Sequence, residues 1–139
     1  MINIVTGTVG HDSHVIGIKI LSRVLREGGF KVTELNALTS PEEFIRAAQE
    51  TASDAIMISS LYGMAELDLS GFKEKCIEAG LSDVILYLGG NLSIGRHPFE
   101  EDERKFREMG FDRVYPPNIN LKIVLEDLKN DLKKKGKPR

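Results

Sequence analysis

Short apolar runs alternate with longer amphipathic segments along most of the chain. Continuous apolar runs are typical of strands that a parallel sheet buries on both faces, whereas apolar residues at helical spacing indicate helices that cover the sheet. The pattern predicts strands at residues 2–6, 31–35, 54–59, 84–88 and 112–115. It predicts helices at residues 15–27, 41–51, 69–79, 98–109 and 121–133.

The predicted helices have recognisable ends. Ser40 can cap the second helix, Pro41 suits its first position and Glu43 completes a capping box. Glycine predicts the ends of other helices at Gly28-Gly29, Gly80 and Gly110. Helical spacing predicts the apolar faces of the first and last helices: Ile16, Ile20, Val24 and Leu25, and Ile123, Val124, Leu125 and Leu128.

The regular alternation of strand and helix predicts an α/β fold built on a doubly wound, five-stranded parallel sheet with right-handed crossovers. By analogy with flavodoxin-like (Rossmann-like) folds, we expect the strand order 2-1-3-4-5 with helices on both faces. We expect residues 1–132 to form one domain. Residues 133–139 are basic and lack apolar anchors, which predicts a disordered tail.

Composition excludes several classes of protein. The formal net charge of −2 argues against a nucleic-acid-binding protein, which carries a clustered basic excess. No apolar run approaches the roughly 20 residues that span a bilayer, and the start of the chain lacks the features of a signal peptide. The single cysteine, Cys76, fits a reducing compartment and is expected to be a buried small hydrophobe. We therefore expect a cytoplasmic protein that binds neither nucleic acid nor membrane.

Polar or glycine-rich loops follow three of the predicted strands. In the order 2-1-3-4-5 the first, third and fourth strands are neighbours, so their carboxyl-end loops meet in one crevice, where ligands bind in this class of sheet. The residues that this places together are Asp12, His14 and Gly17, then Ser59 and Leu61, and then Gly89 and Gly90.

These residue types suit a bulky group that contains a metal. The neutral imidazole of His14 is a good ligand for a late first-row metal, and Asp12 can accept the proton on its other ring nitrogen. Glycines let a bulky group lie against bare backbone, and the Ser59 hydroxyl can bond to one of its heteroatoms. Taken alone, His14 would be interpreted as an ordinary polar loop residue.

The three loops together resemble the signature of a known family. Residues 12–17 have the form D-x-H-x-x-G, residues 59–61 the form S-x-L, and residues 89–90 supply G-G. This combination is similar to that of cobalamin-binding domains of the base-off, His-on type. Across the chain, residues 59–63, 86–91 and 110–116 resemble the small subunits of glutamate mutase (methylaspartate mutase).

The resemblance implies that His14 is the axial cobalt ligand and that Asp12 forms a hydrogen bond with it. It implies that the displaced dimethylbenzimidazole tail passes Gly17 and lies between Ser59 and the Gly89-Gly90 turn. The full set of cofactor-binding residues that it implies is His11, Asp12, Ser13, His14, Val15, Gly17, Ser59, Ser60, Leu61, Tyr62, Gly89, Gly90, Asn91, Leu92, Ser93, Ile94, Gly95 and Tyr115.

The resemblance also implies a division of labour. The small subunit carries adenosylcobalamin, and a separate large, barrel-type (epsilon) subunit performs the radical interconversion of L-glutamate and 3-methylaspartate. The expected assembly is a two-plus-two heterotetramer. No catalytic residue is expected on this chain, which would be inactive alone.

Other interpretations stay open. The chain could be the cobalamin-binding module of another corrinoid enzyme: a related carbon-skeleton mutase, a methyl carrier or a sensor. A phospho-receiver or a flavin protein on the same fold is disfavoured, and Ser59 stands where a receiver needs an aspartate. His11 is either a rim residue or a solvated loop residue, and His97 is interpreted as a surface group. Tyr62 and Tyr115 are expected to pack either on the cofactor tail or in the core.

Overall fold

The computed structural model describes residues 2–9, 16–35, 39–60, 65–90, 98–117 and 119–136, with only the backbone of residues 16 and 17. These ranges contain five strands and six helices. The strands are β1 (Asn3–Thr8), β2 (Lys31–Glu34), β3 (Ala55–Ser59), β4 (Ile85–Gly89) and β5 (Arg113–Tyr115). The helices are α1 (Ile16–Glu27), α2 (Pro41–Thr51), α3 (Ala65–Asp68), α4 (Phe72–Glu78), α5 (Phe99–Glu108) and α6 (Leu121–Lys134).

The strands form one parallel sheet in the order β2-β1-β3-β4-β5, which confirms the predicted fold and strand order. The central strands β1, β3 and β4 are almost entirely buried, as their continuous apolar runs predicted. Because every strand runs in the same direction, the carboxyl ends of β1, β3, β4 and β5 lie along one edge of the sheet.

Side chains alternate between the two faces of the sheet and build two separate cores. One core contains Ile56, Leu86 and Val114 from the strands, packed with the inner faces of α2, α4 and α5. The other contains Met57 and Tyr87, packed with the inner faces of α1 and α6. The alternation therefore assigns each residue at a strand's end to one of two sides, and the candidate site lies on the α1/α6 side.

The predicted helix ends are confirmed. Ser40 Oγ accepts a hydrogen bond from the Glu43 amide at 3.2 Å, and Glu43 Oε1 accepts one from the Ser40 amide at 3.3 Å. Helices also end where left-handed glycines were predicted, at Gly29, Gly80 and Gly110, with φ of 96°, 81° and 111°.

The helix predicted at residues 69–79 begins later in the structure. Only residues 72–78 of that range are helical, as α4, and the short helix α3 lies before the predicted start. Cys76 is buried, as predicted, and so are Leu69 and Phe72. Gly71 adopts a left-handed φ of 75° immediately before α4, and residues 69–71 form a turn.

Two further details of the sequence interpretation were wrong. Ile20 and Ile123, which were predicted to face the core, are 51% and 48% exposed. The inner faces of α1 and α6 are instead formed by Ile18 and Leu25, and by Val124, Leu128 and Leu132. The last helix also continues to Lys134, so the first two residues of the tail predicted at 133–139 are helical.

Within the described ranges, no helix is long and apolar enough to cross a membrane.

Cys76 provides a test of the core on the α4 face. Its side chain is fully buried, and burial raises the pKa of the thiol from 9.0 to about 11. We expect the native protein to react with a disulfide reagent far more slowly than the unfolded chain at about pH 8, because thiolate is the reactive species. A Ser82→Cys variant, whose added thiol lies at an exposed turn, should react at once. Equal rates at the two sites would contradict the buried position.

Candidate functional site

One row of paired residues crosses the carboxyl edge of the sheet. Thr8 of β1 pairs with Ser59 of β3, Ser59 pairs with Gly89 of β4, and Gly89 pairs with Tyr115 of β5. Residues in one row of a sheet share a face. The pairing therefore brings Ser59, Gly89 and Tyr115 together on the α1/α6 side, although they are far apart in the sequence.

A cavity of about 190 Å³ lies above this row, between the sheet and the two helices. A single buried water needs only roughly 10–15 Å³, so the cavity is large enough for an organic group. Its walls come from α1, the ends of β3, β4 and β5, and the segment that leads into α6. The lining residues are Ile18, Leu21, Met57, Ile58, Ser59, Tyr87, Leu88, Gly89, Gly90, Tyr115, Pro116, Pro117, Ile119, Leu121 and Val124.

The two glycines open the cavity. Among the described residues beyond its two chain neighbours, a Cβ added at Gly89 would meet Tyr115, whose Cβ and carbonyl oxygen lie 3.7 and 3.8 Å away. A side chain at this position would therefore fit the protein but would occupy cavity space. Gly90 has a φ of 104°, a left-handed conformation that glycine adopts without strain as the chain leaves β4.

The Ser59 hydroxyl is the available polar group of the wall. It is half-buried, and no hydrogen bond joins it to another described side chain. The neighbouring Ser60 does not line the cavity. Its backbone amide donates to the Gly89 carbonyl at 3.0 Å, and its buried hydroxyl has no hydrogen-bond partner among the described residues.

The two tyrosines in the wall are held from behind by acidic residues of α6. Tyr115 donates to Asp127 Oδ2 at 2.8 Å, and Tyr87 donates to Asp131 Oδ2. Arg113 donates to both Asp131 oxygens, from Nε at 2.8 Å and from Nη2 at 3.0 Å, and its Nη1 lies 3.6 Å from Asp127 Oδ2. The tyrosine rings meet edge to face, with centroids 5.6 Å apart. We call these five residues the tyrosine clamp.

Hydrogen bonds and burial shift the pKa values of four clamp residues: Tyr87, Tyr115, Arg113 and Asp131. Burial and the hydrogen bonds to the acids raise the pKa of both tyrosines, so their hydroxyls remain protonated donors. The hydrogen bond to Asp131 raises the pKa of Arg113. Burial alone would raise the pKa of Asp131, but the hydrogen bonds from Arg113 and Tyr87 outweigh it and lower that pKa below 3.8. The two tyrosines, Arg113 and Asp131 therefore each keep one protonation state near neutral pH.

These features define what the cavity can hold. Its described walls are mainly aliphatic and aromatic, both tyrosine hydroxyls are already bonded to carboxylates, and no described side chain forms a hydrogen bond with the Ser59 hydroxyl. Such a site fits a flat, mostly apolar organic group with a heteroatom near one edge. None of the described residues that line it is charged.

The structure brings together some of the sequence-predicted residues. Ser59, Gly89, Gly90 and Tyr115 line one cavity, and the Gly17 backbone lies in the first turn of α1. Ser60 is described but does not line the cavity, and the other predicted residues lie outside the described ranges: His11, Asp12, Ser13, His14, Val15, Leu61, Tyr62, Asn91, Leu92, Ser93, Ile94 and Gly95. Within those ranges, no group of three or more His, Cys, Asp and Glu side chains could hold a metal ion.

The sequence interpretation did not identify Tyr87 as a cavity residue, and it did not identify the tyrosine clamp. Tyr87 could have been found, because it precedes Gly89 by two residues and strand alternation puts both on one face. Asp127 and Asp131 are four residues apart on the inner side of α6, beside Val124 and Leu128. Acids on the inward side of an amphipathic helix signal a buried partner, but the sequence does not say which residue that partner is.

Comparison with known proteins agrees with this geometry. The family described as B12 binding domain matches residues 2–115. A glutamate mutase sigma subunit from Carboxydothermus hydrogenoformans is 53% identical over 131 residues, which cover 94% of this chain and 96% of the relative. One from Fusobacterium nucleatum is 48% identical over 130 residues, with coverage of 94% and 96%.

The same fold occurs in a solved structure. A cobalamin-binding protein from Desulfitobacterium hafniense DCB-2 superposes with a TM-score of 0.75 at 19% identity. The match covers 94% of this chain and 58% of that protein, so this chain spans little more than half of its length. At this identity the likeness shows a shared fold.

The lowered pKa of Asp131 predicts how stability depends on pH. The charged carboxylate stabilises the fold fully above its ordinary pKa of 3.8, and this contribution is lost as the pH falls through the lower folded pKa. We expect the free energy of unfolding of Asp131→Asn at neutral pH to be lower than that of the wild type by about 2 kcal/mol, since hydrogen bonds to charged groups contribute that much. Its stability should then decline less below about pH 4 than that of the wild type.

The measurement is urea unfolding followed by circular dichroism at several pH values. Glu126→Gln is the matched control, because Glu126 is an exposed acid on the same helix. A pH profile of Asp131→Asn that is parallel to the wild-type profile would contradict the assigned role of the carboxylate.

Proposed function

The chain belongs to the B12-binding domain family and, within it, to the glutamate mutase sigma subunits, and on this basis we propose that it is the cobalamin-carrying small subunit of a glutamate mutase. Its relatives match nearly end to end, at about the same length. The observation that carries the proposal is the cavity above Ser59 and Gly89, which lies where the family's sequence signature requires room for a large group.

The residues of the cavity fit the nucleotide tail of a cobalamin. The tail ends in dimethylbenzimidazole, a flat and largely apolar base with ring nitrogens at one edge. Apolar walls with one available hydroxyl match that chemistry, and the bare backbone at Gly89 leaves space for a ring. In our proposal Ser59 bonds to a ring nitrogen, while Tyr87 and Tyr115 form the wall against the base.

His14 is proposed as the axial ligand of cobalt, with Asp12 as its hydrogen-bond acceptor. Residues 10–15 connect Val9, which directly follows the inner strand β1, to the start of α1 at Ile16, and Ile18 of that helix lines the cavity. His14 is therefore only a few residues along the chain from the cavity wall. An acceptor on the second ring nitrogen fixes the imidazole tautomer and makes the ligand more basic.

The cofactor in this proposal is adenosylcobalamin. When bound, it supplies the radical chemistry for the interconversion of L-glutamate and 3-methylaspartate, while the protein supplies binding and orientation. The residues of this chain bind the tail, exclude water from it and orient the corrin toward the second subunit. We assign no catalytic residue to this chain, so it would be inactive alone.

The partner in this proposal is a large, barrel-type (epsilon) subunit that binds the substrate, in a two-plus-two heterotetramer. The name sigma subunit, carried by the relatives, implies such a second subunit. We place the complex in the cytoplasm, where the free thiol of Cys76 would stay reduced.

Replacement of His14 tests the axial ligand. We expect His14→Ala to lose the nitrogen hyperfine splitting of histidine in the electron paramagnetic resonance spectrum of bound cob(II)alamin, and to lose most activity with the large subunit. His97→Ala, which removes another histidine, should leave the spectrum unchanged. An unaltered histidine signal in His14→Ala would rule out this ligand.

Substitution of Gly89 tests the cavity. Apart from its two chain neighbours, a Cβ at this position meets no described atom closer than 3.7 Å, so we expect Gly89→Ala and Gly89→Val to fold but to fill the space proposed for the base. We expect cobalamin affinity to fall in the order glycine, alanine, valine, with a loss of at least about tenfold for valine. The measurement is equilibrium binding followed by absorbance, with circular dichroism as the folding control. Undiminished affinity in the folded valine variant would place the base elsewhere.

A further inference from the structure

The tyrosine clamp lies directly behind the cavity and joins the two sides of its wall. Tyr87 and Tyr115 line the cavity from the sheet, and Leu121 and Val124 line it from α6. The acids that hold the tyrosines, Asp127 and Asp131, follow on the same helix. The clamp therefore connects the sheet side of the cavity to the helix side.

The charged members of the clamp do not touch the cavity. Arg113, Asp127 and Asp131 are absent from its lining, whereas both tyrosine rings are part of it. The side chains of Arg113 and Asp131 are 29% and 16% exposed, so both remain in partial contact with water. These three residues can therefore affect a group bound in the cavity only indirectly, by fixing the positions of the two tyrosines and of α6.

An apolar cavity without a ligand is unfavourable, because its lining atoms lack contacts on one side. The simplest relaxation would bring α6 toward the sheet or swing a tyrosine ring into the space. The clamp opposes both movements. Each hydroxyl is bonded to a carboxylate behind the cavity, and Arg113 ties both carboxylates to β5 with three polar contacts.

We propose that Arg113, Asp127 and Asp131 are positioning residues that keep the tail cavity open before the cofactor arrives, and thereby set the preference of the protein for corrinoids that carry a nucleotide base. The inference rests on the proposed function, since the preference presupposes that the cavity takes the base. Preorganisation raises affinity because the cost of ordering the site is met during folding and not during binding.

Removal of the hydroxyls provides the test. Tyr87→Phe and Tyr115→Phe keep the rings in the wall and delete only the bonds to Asp131 and Asp127. Binding of adenosylcobalamin is compared with that of adenosylcobinamide, which lacks the nucleotide tail, using the full chain with its large subunit. We expect each variant to weaken cobalamin binding about five- to tenfold, as the loss of one hydrogen bond to a charged group would. Cobinamide binding should not change.

Glu42→Gln is the matched control, because it removes an ion pair with Lys75 on the opposite side of the sheet. It should leave the ratio of the two affinities unchanged. If the tyrosine variants lose cobalamin and cobinamide affinity by equal factors, the clamp has only a general stabilising role and the inference is overturned. The inference is also overturned if neither affinity changes. Failure of the wild type to bind any cobalamin would overturn the proposed function itself.

A second measurement needs no cofactor. If the clamp fixes the position of α6 relative to the sheet, amide hydrogen exchange in the first turns of α6 should be faster in Tyr87→Phe and Asp131→Asn than in the wild type. The same amides in Glu42→Gln should exchange at the wild-type rate. Unchanged exchange in both clamp variants would contradict the inference.

Discussion

The parallel pairing of β1, β3, β4 and β5 is the constraint on which the site depends. In a parallel sheet, a fixed register decides which residues end their strands in the same row and on which face they lie. Here the row contains Thr8, Ser59, Gly89 and Tyr115. A shift of β4 by one residue would turn Gly89 toward the other core and place Leu88 or Gly90 on the cavity side. The alternating burial of two cores prevents that shift, because it would move a whole set of apolar side chains to the wrong face.

The cavity is not filled by protein atoms because of two kinds of residue in its wall, glycine and tyrosine. Protein interiors normally fill space of this size, since voids forgo dispersion contacts. Gly89 supplies no side chain at the centre of the row, while Tyr87 and Tyr115 are too rigid and too firmly bonded to swing into the space. The loss of packing here is offset by the two apolar cores, whose largest members, such as Phe44, Phe72 and Phe106, are fully buried.

The clamp shows why ionic groups can be retained next to an apolar site. An ion pair that is partly removed from water gives little more stability than an apolar pair of the same volume would, because desolvation opposes the attraction between the charges. Its value lies in geometry: Arg113 meets Asp131 through two parallel hydrogen bonds, an arrangement that a guanidinium and a carboxylate make in few orientations. Such directional contacts fix the distance between α6 and the sheet more narrowly than apolar packing would. The site is thus shaped by polar contacts that lie outside it.

The sequence by itself determined the order of the elements and the capping box at Ser40, because these depend on local periodicity and on the chemistry of a few adjacent residues. The strand order came from analogy with flavodoxin-like folds, since alternation alone does not fix which strands are neighbours. The sequence also identified Ser59, Gly89 and Tyr115 as strand-end residues. It misjudged Ile20 and Ile123, since helical spacing places a residue on a stripe but does not fix how far neighbouring helices cover that stripe. Only the tertiary structure decided that Tyr87 and Tyr115 bond to Asp131 and Asp127, and that a cavity remains between the sheet and α6. Those features depend on ångström-scale distances between segments far apart in the chain, which no local pattern encodes.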